Sequence, residues 1–94
     1  MTKKDIVIEV AERPELSELT QTQIKLVIQA TLDYIIDSLL KGQNIELRNF
    51  GVFKVKNRKG RIARNPRTGQ KVQVSDRKVV VFKPGLIMKE KIRG

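Results

Sequence analysis

The 94-residue chain contains no cysteine, no histidine and no tryptophan. Without cysteine it forms no disulfide and offers no thiolate, and without histidine it lacks the usual neutral-pH base and the ligands that zinc and haem sites normally require. The longest apolar run near the N-terminus, residues 6–11, is interrupted by Glu9 and is too short for a signal peptide or a membrane span. We therefore expect a cytoplasmic protein without cofactor, metal or membrane partner.

Acidic residues are scarce in the second half of the chain. Residues 1–46 carry five basic and eight acidic side chains, a net charge of −3, whereas residues 47–94 carry fifteen basic and two acidic ones, a net charge of +13. This local excess of positive charge indicates an anionic partner and places the candidate functional surface in the second half. The carboxylate clusters that a metal-dependent nuclease requires are missing there, so the sequence predicts no enzyme.

Helix signals dominate the first half, and the length of the chain suits one domain. Thr2 is followed three residues later by Asp5, and Thr20 is followed three residues later by Gln23. This is the spacing of a capping box at the start of a helix. Pro14 ends the first helix, and Gly42 supplies a left-handed stop for the second. The pattern therefore predicts a short first helix and a second helix over about residues 21–41.

The apolar residues of the second helix spread over more than one face: Ile24, Val27, Ile28, Leu32, Ile35, Ile36, Leu39 and Leu40. One short helix and a sparse sheet can cover only one side of it. A second subunit is expected to cover the other side, either an identical chain or a paralogue, and the sequence predicts an obligate homodimer or heterodimer. The alternative is a monomer with a fully buried central helix.

After residue 44 the apolar pattern changes to a period of two and predicts three strands, around residues 45–47, 52–55 and 72–82. The last two strands form a long hairpin if its tip centres near Arg67. That register places Phe53 opposite Val81, Val55 opposite Val79 and Ile62 opposite Val72. Because Ile62 is the only large apolar residue between positions 55 and 72, this segment is expected to project from the fold as a ribbon.

The ribbon carries six cations and no acid: Arg58, Lys59, Arg61, Arg64, Arg67 and Lys71. The predominance of arginine favours phosphates and narrow minor grooves, which indicates a nucleic acid. A solvated strand edge, kept from pairing by its charges, is the alternative and needs no ligand. At the tip, Pro66 is either an ordinary turn residue or an apolar wedge that enters between base pairs.

Four segments together are specific: Phe50-Gly51-Val52-Phe53, the spaced Arg58 and Arg61, Arg64-Asn65-Pro66-Arg67-Thr68-Gly69, and Phe82-Lys83-Pro84-Gly85. With them the whole chain resembles the bacterial HU and integration host factor family of DNA-bending proteins. The resemblance implies an α+β fold in which a helical base and a three-stranded antiparallel sheet carry a long β-ribbon arm, in an intertwined dimer. The chain is then one domain, with a helical dimerisation part over about 1–43, sheet and arm over about 44–83, the arm tip at 57–73 and a C-terminal helix over about 85–93.

The resemblance also implies the function of an architectural protein of the nucleoid. Its arms wrap duplex DNA through the minor groove, and Pro66 inserts between base pairs and bends it, which organises or compacts the chromosome. The implied arm contacts are Arg58, Lys59, Arg61, Arg64, Asn65, Pro66, Arg67 and Lys71. The implied body contacts are Lys3, Lys4, Lys54, Lys56, Arg77, Lys78 and Lys83.

Arg48 is a further candidate contact, because Glu46 lies two residues away on the same predicted strand and an ion pair between them would orient Arg48 towards DNA. This feature is similar to the β subunit of integration host factor, and it leaves open a sequence-specific bender that acts in transcription or recombination complexes. The alternative is an exposed ion pair of little energetic weight. An RNA-binding basic module is the other alternative, since phosphate contacts alone do not distinguish RNA from DNA.

Overall fold

The computed structural model describes residues 1–94 and contains three α-helices, one short 3₁₀ helix and five β-strands. In chain order they are α1 (Lys3–Ala11), the 3₁₀ turn (Pro14–Leu16), α2 (Gln21–Leu40), β1 (Ile45–Leu47), β2 (Gly51–Arg58), β3 (Arg61–Arg64), β4 (Lys71–Val74), β5 (Arg77–Pro84) and α3 (Leu86–Arg93). The chain forms two compact units, residues 1–37 and residues 38–94. No helix combines the length and hydropathy that crossing a bilayer requires.

Both predicted capping boxes are present. The Asp5 amide donates to Thr2 Oγ1 at 3.4 Å while the Thr2 amide donates to Asp5 Oδ2 at 2.8 Å. At the start of α2, the Gln23 amide donates to Thr20 Oγ1 at 3.1 Å, and the Thr20 amide donates back to Gln23 Oε1 at 2.9 Å. These bonds satisfy amide groups that the first helical turn leaves without partners, which is why both helices begin where the sequence predicts.

The predicted stop of α2 is confirmed at Gly42, which has a φ of 81°. The Gly42 amide donates to the carbonyl of Leu39 at 2.9 Å, and the Gln43 amide donates to the carbonyl of Ser38 at 3.0 Å. This pair of bonds is a Schellman motif, and it depends on a residue that adopts left-handed geometry without strain.

The first unit, residues 1–37, buries very little apolar surface by itself. Val7 of α1 and Ile24 of α2 are its buried apolar side chains, with exposed fractions of 5% and 3%. Many large apolar side chains along α2 are instead exposed: Leu26, Val27, Leu32, Tyr34, Ile36 and Leu40. An apolar helix face of this extent is typical of a subunit interface, in agreement with the dimer predicted from the sequence.

The three-stranded antiparallel sheet has the order β1-β2-β5, and β3 pairs with β4 in a separate two-stranded ladder. The predicted three-stranded antiparallel sheet is confirmed, but the prediction of a single continuous hairpin ladder is wrong, since the long hairpin contains two paired segments on each side. Its register was also wrong by one residue, because Phe53 lies opposite Phe82, Val55 opposite Val80 and Ile62 opposite Gln73.

The tip explains the error in register. It is closed by the Asn65 amide, which donates to the carbonyl of Gln70 at 2.8 Å, so four residues rather than an odd number form the loop. The hairpin centre then falls between Arg67 and Thr68 and not on Arg67. Apolar pairing did not distinguish the two registers, because residues 79–82 are a continuous apolar run.

The turn after β1 places Arg48 outside the sheet. Strand β1 ends at Leu47, and the Phe50 amide donates to the carbonyl of Leu47 at 3.0 Å. Asn49 has a φ of 64°, the left-handed geometry that asparagine tolerates better than most residues. Arg48 and Glu46 therefore do not share a strand face, and they form no ion pair, which corrects the geometry predicted for them.

Three aromatic rings pack together at the base of the hairpin. The Phe82 ring centroid lies 4.8 Å from that of Phe53 and 5.6 Å from that of Phe50. Gly51 lies beneath this cluster, where an added Cβ would lie 2.5 Å from Phe82 Cζ and 2.6 Å from the carbonyl oxygen of Lys83. The cluster therefore requires glycine at this position.

The variant Gly51→Ala should lose about 1–3 kcal/mol of unfolding free energy, because the methyl group must displace a packed ring and a strand carbonyl. Thermal unfolding measures the loss, with an expected decrease in Tm of about 4–8 °C per kcal/mol for a domain of this size. The matched control is Gly85→Ala, where the nearest atom to an added Cβ is the Phe50 carbonyl oxygen at 3.3 Å and a smaller decrease is expected. Equal Tm values for the two variants would contradict the packing argument.

Candidate nucleic-acid interface

Positive side chains collect on one face of the β2–β5 ladder. Successive residues of a strand point to opposite faces, and directly opposed residues share a face. The pairs Val52–Lys83, Lys54–Val81, Lys56–Val79 and Arg58–Arg77 therefore alternate with pairs that include Phe53–Phe82. The cations on the first of these faces are Lys54, Lys56, Arg58, Arg77 and Lys83, whereas Lys78 lies opposite Asn57 on the aromatic face.

The β3–β4 ladder, which we call the distal ribbon, is short and exposed. Its pairs are Arg61–Val74, Ile62–Gln73, Ala63–Val72 and Arg64–Lys71. Ile62 is 66% exposed, so the ribbon has no apolar core of its own and agrees with the predicted projecting segment. Arg64 and Lys71 lie on one face of it and Arg61 on the other, which gives both faces positive charge.

Like charges lie directly opposite each other at two places in these ladders, Arg58 with Arg77 and Arg64 with Lys71. Such pairs destabilise an antiparallel ladder when no counter-ion is present. No carboxylate lies within ion-pair distance of any of these four side chains, and the ion pair that the structure contains joins Arg13 to Glu15 at 3.5 Å. The second half of the chain therefore presents positive charge that the fold itself leaves unneutralised.

Backbone and side-chain hydrogen bonds hold the tip of the distal ribbon. The Gly69 amide donates to the carbonyl of Asn65 at 2.7 Å, and the Arg67 amide donates to Asn65 Oδ1 at 2.9 Å. The Gln70 amide donates to Thr68 Oγ1 at 3.3 Å. Within this framework Pro66 is the first of the four loop residues, and it is exposed. Asn65, a candidate contact from the sequence, already uses its side-chain oxygen inside the turn.

The remaining candidates lie in three places. Lys3 and Lys4 are in the first turn of α1, where Lys3 Nζ donates to Gln29 Oε1 of α2. Arg48 is exposed in the turn after β1. The others lie on β2 and β5, and these two strands carry Lys54, Lys56, Arg77, Lys78 and Lys83. The sheet thus brings five of the body candidates together on adjacent strands.

One residue near the arm was missed as a candidate in the sequence. Asp76 is one of the two acids in residues 47–94, and its Oδ1 accepts a hydrogen bond from the amide of Gly60 across the hairpin. The signal in the sequence was that Asp76 is an isolated acid in a basic segment and that Gly60 lies on the other strand of the predicted hairpin. Only the register shows that the two residues meet.

Comparison with known proteins places this geometry in a family. A sequence model described as bacterial DNA-binding protein matches residues 1–93. The chain is 38% identical over 94 residues to the integration host factor β subunits of Burkholderia mallei and Burkholderia pseudomallei, which covers 100% of this chain and 86% of each relative.

Solved structures give the same result. The HU chain of an Anabaena HU–DNA cocrystal matches with a TM-score of 0.86 and 34% identity, covering 98% of this chain and 97% of the other. A point mutant of HU from Thermotoga maritima matches with a TM-score of 0.68 and 29% identity, covering 98% and 99% of the two chains.

The relatives and solved structures match 98–100% of this chain over 86–99% of their own length. The matched region includes the sheet, the basic hairpin and the helices described above. They confirm the family resemblance and the α+β fold predicted from the sequence. The chain belongs to the HU and integration host factor family of bacterial DNA-binding proteins, non-enzymatic architectural proteins that bind DNA and form dimers.

Proposed function

We propose that a dimer of this chain wraps duplex DNA with its two β-ribbon arms in the minor groove and bends the duplex by insertion of Pro66. The observation that carries the proposal is that like charges lie directly opposite each other in the ladders at Arg58–Arg77 and Arg64–Lys71 and have no counter-ion in the protein. A row of phosphates supplies the missing negative charge and releases condensed counter-ions from the DNA. The Anabaena HU chain that this structure matches was crystallised with DNA, which supports the same partner.

The proposed arm contacts are the exposed side chains along the hairpin from Arg58 to Lys71. Arginine offers a planar fork that binds phosphate with two hydrogen bonds, and it enters narrow minor grooves more readily than lysine. The proposed body contacts hold the flanks of the bent duplex: Lys3, Lys4, Arg48, Lys54, Lys56, Arg77, Lys78 and Lys83. Most contacts of this type go to phosphates, so they position the duplex without reading its sequence.

Pro66 is the proposed wedge because of its place and its rigidity. It is exposed in the four-residue loop at the tip, where hydrogen bonds restrict its neighbours Asn65 and Arg67. A small apolar ring that is held in this way can enter between two base pairs, unstack them and kink the duplex. Pairs of kinks let DNA wrap more of the protein surface. This activity leads us to propose a cytoplasmic protein of the nucleoid that organises or compacts the chromosome.

The proposal is tested by energy transfer between dyes at the two ends of a short duplex. Addition of protein should raise the transfer, because the ends approach each other when the duplex bends. The same titration on scrambled sequences separates two types of bender. A rise on every duplex supports the HU type, and a rise on particular sequences supports the integration host factor type. Binding without a rise on any duplex would refute bending, and preferential binding of double-stranded RNA in direct competition would refute DNA as the partner.

Arg61→Ala and Arg64→Ala should each weaken DNA binding by about tenfold at physiological salt, which corresponds to about 1.4 kcal/mol for a lost charge-assisted contact. Each substitution should also reduce the salt dependence of log K by about one unit. Fluorescence anisotropy of a labelled duplex measures both quantities. The control Lys91→Ala removes the same charge from α3, outside the arm, and should change the affinity much less. Equal losses in all three variants would show that net charge alone governs binding.

A further inference from the structure

The hairpin is interrupted at one level on both of its strands. The β2–β5 ladder ends at the pair Arg58–Arg77, and the β3–β4 ladder begins at the pair Arg61–Val74. Between them lie two residues on each strand, 59–60 and 75–76, which we call the joint. The residue numbers of opposed residues have the same sum on both sides, as in one continuous antiparallel register, so the joint contains no inserted residue and is not a β-bulge. It is a gap in the ladder hydrogen bonds at which the ribbon can change direction.

A side chain bridges this gap in place of the backbone. The amide of Gly60 donates to Oδ1 of Asp76 on the facing strand, where a regular ladder would use a carbonyl group. The two strands also approach closely at this level, as shown by the distance of 2.3 Å that would separate a Cβ at residue 60 from the carbonyl oxygen of Val74. Glycine allows the approach, and the Asp76 carboxylate satisfies the amide that the approach leaves without a ladder partner.

The charge of Asp76 makes a purely electrostatic role unfavourable. It is one of two acids in residues 47–94, and it lines a shallow cleft of about 460 Å³ together with Arg58, Lys59, Arg77 and Lys78. Its carboxylate makes no ion pair with these cations. A negative charge at this place weakens the attraction of the arm for phosphates, so the favourable contribution of Asp76 is its hydrogen bond across the joint.

We propose that Asp76 is a positioning residue: its hydrogen bond to Gly60 sets the direction of the distal ribbon relative to the β2–β5 ladder and so determines where Pro66 meets the duplex. This inference rests on the proposed function, since it concerns the direction in which the arm meets the DNA. The distal ribbon has no apolar core that would hold it in one direction. A single contact at the joint therefore has a large effect on the position of the tip.

Two substitutions separate the hydrogen bond from the charge. Asp76→Asn and Asp76→Ala remove the same negative charge, but asparagine keeps an oxygen acceptor in place and alanine does not. Both variants should bind duplex DNA at least as tightly as the parent protein. Asp76→Asn should keep the parent level of end-to-end energy transfer at saturating protein, whereas Asp76→Ala should lose about half of it or more.

The free protein gives a second readout that does not depend on DNA. In Asp76→Ala the Gly60 amide should exchange with solvent about fivefold or more faster than in the parent, because it loses its acceptor, and in Asp76→Asn its exchange should stay close to the parent rate. NMR hydrogen exchange resolves this amide. Thermal unfolding of both variants checks that the sheet itself is intact.

The outcomes are distinct. Equal bending by Asp76→Ala and Asp76→Asn would overturn the positioning role, and so would unchanged exchange of Gly60 in Asp76→Ala. Faster exchange in Asp76→Ala with undiminished bending would also overturn it, because the hydrogen bond between Gly60 and Asp76 would then exist without setting the direction of the distal ribbon. If the parent protein itself failed to bend any duplex, the proposed function would fail, while the exchange experiment would still decide whether Asp76 holds the joint.

Discussion

Between about 50 mM and about 200 mM monovalent salt, the affinity of this protein for duplex DNA is expected to fall by about 10³–10⁵-fold. The arms and body together should neutralise on the order of 6 to 10 phosphates, and each neutralised phosphate releases condensed counter-ions from the duplex. The structural reason is that the cations opposed in the ladders have no counter-ion in the protein. Added salt therefore weakens the contacts between the protein's cations and the DNA phosphates, and the protein has no internal ion pairs at these cations for salt to weaken instead.

Anisotropy titrations of one labelled duplex across a salt series measure this effect as the slope of log K against log salt, expected at about −5 to −9. The double variant Arg61→Ala, Arg64→Ala should have a slope shallower by about two units, and Lys91→Ala should keep the parent slope. A neutral osmolyte at equal osmolality controls for water activity. Affinity that stayed constant over this salt range would refute the electrostatic part of the proposed function.

Replacement of Pro66 by alanine should reduce DNA bending far more than DNA affinity. Each kink that depends on an inserted side chain accounts for roughly 20–90° of bend, and alanine is too small to hold two base pairs apart. The affinity depends mainly on the cations of the arm and the body, which the substitution leaves in place. Energy transfer at saturating protein should therefore fall towards the value of the free duplex, while the dissociation constant rises by less than about tenfold.

The control for this experiment is Pro66→Leu, which removes the ring but keeps an apolar side chain of the kind that unstacks base pairs. It should retain most of the bending. If Pro66 acted only as a turn residue, the two variants would behave alike, because both lose the fixed φ of proline. Undiminished bending by Pro66→Ala would remove the wedge from the mechanism.

Local signals in the sequence were sufficient for the helices. Each capping box and the stop at Gly42 depend on residues no more than five positions apart, so their hydrogen bonds form with little help from the rest of the fold. The turn at Asn49 is equally local, since its left-handed geometry is one that this residue type tolerates. The basic, core-poor segment between residues 55 and 72 likewise predicted an exposed ribbon from composition alone.

The contacts across the hairpin could not be obtained in this way. The register depends on how many residues the tip encloses, and the hydrogen bond from Asn65 to Gln70 decides that number. Apolar pattern did not resolve it, because the run from Val79 to Phe82 offers an apolar partner in either register. The expected pairing of Glu46 with Arg48 failed because Arg48 lies in the turn that follows β1 and not on the strand itself.

The sequence by itself therefore determined the helix boundaries, the net charge of each half and the family, since these follow from residue types and short spacings. Tertiary structure decided which cations oppose each other, the aromatic cluster above Gly51 and the bond from Gly60 to Asp76. Those features join residues that are 7 to 32 positions apart along the chain, and their meeting depends on the register that the tip of the hairpin sets.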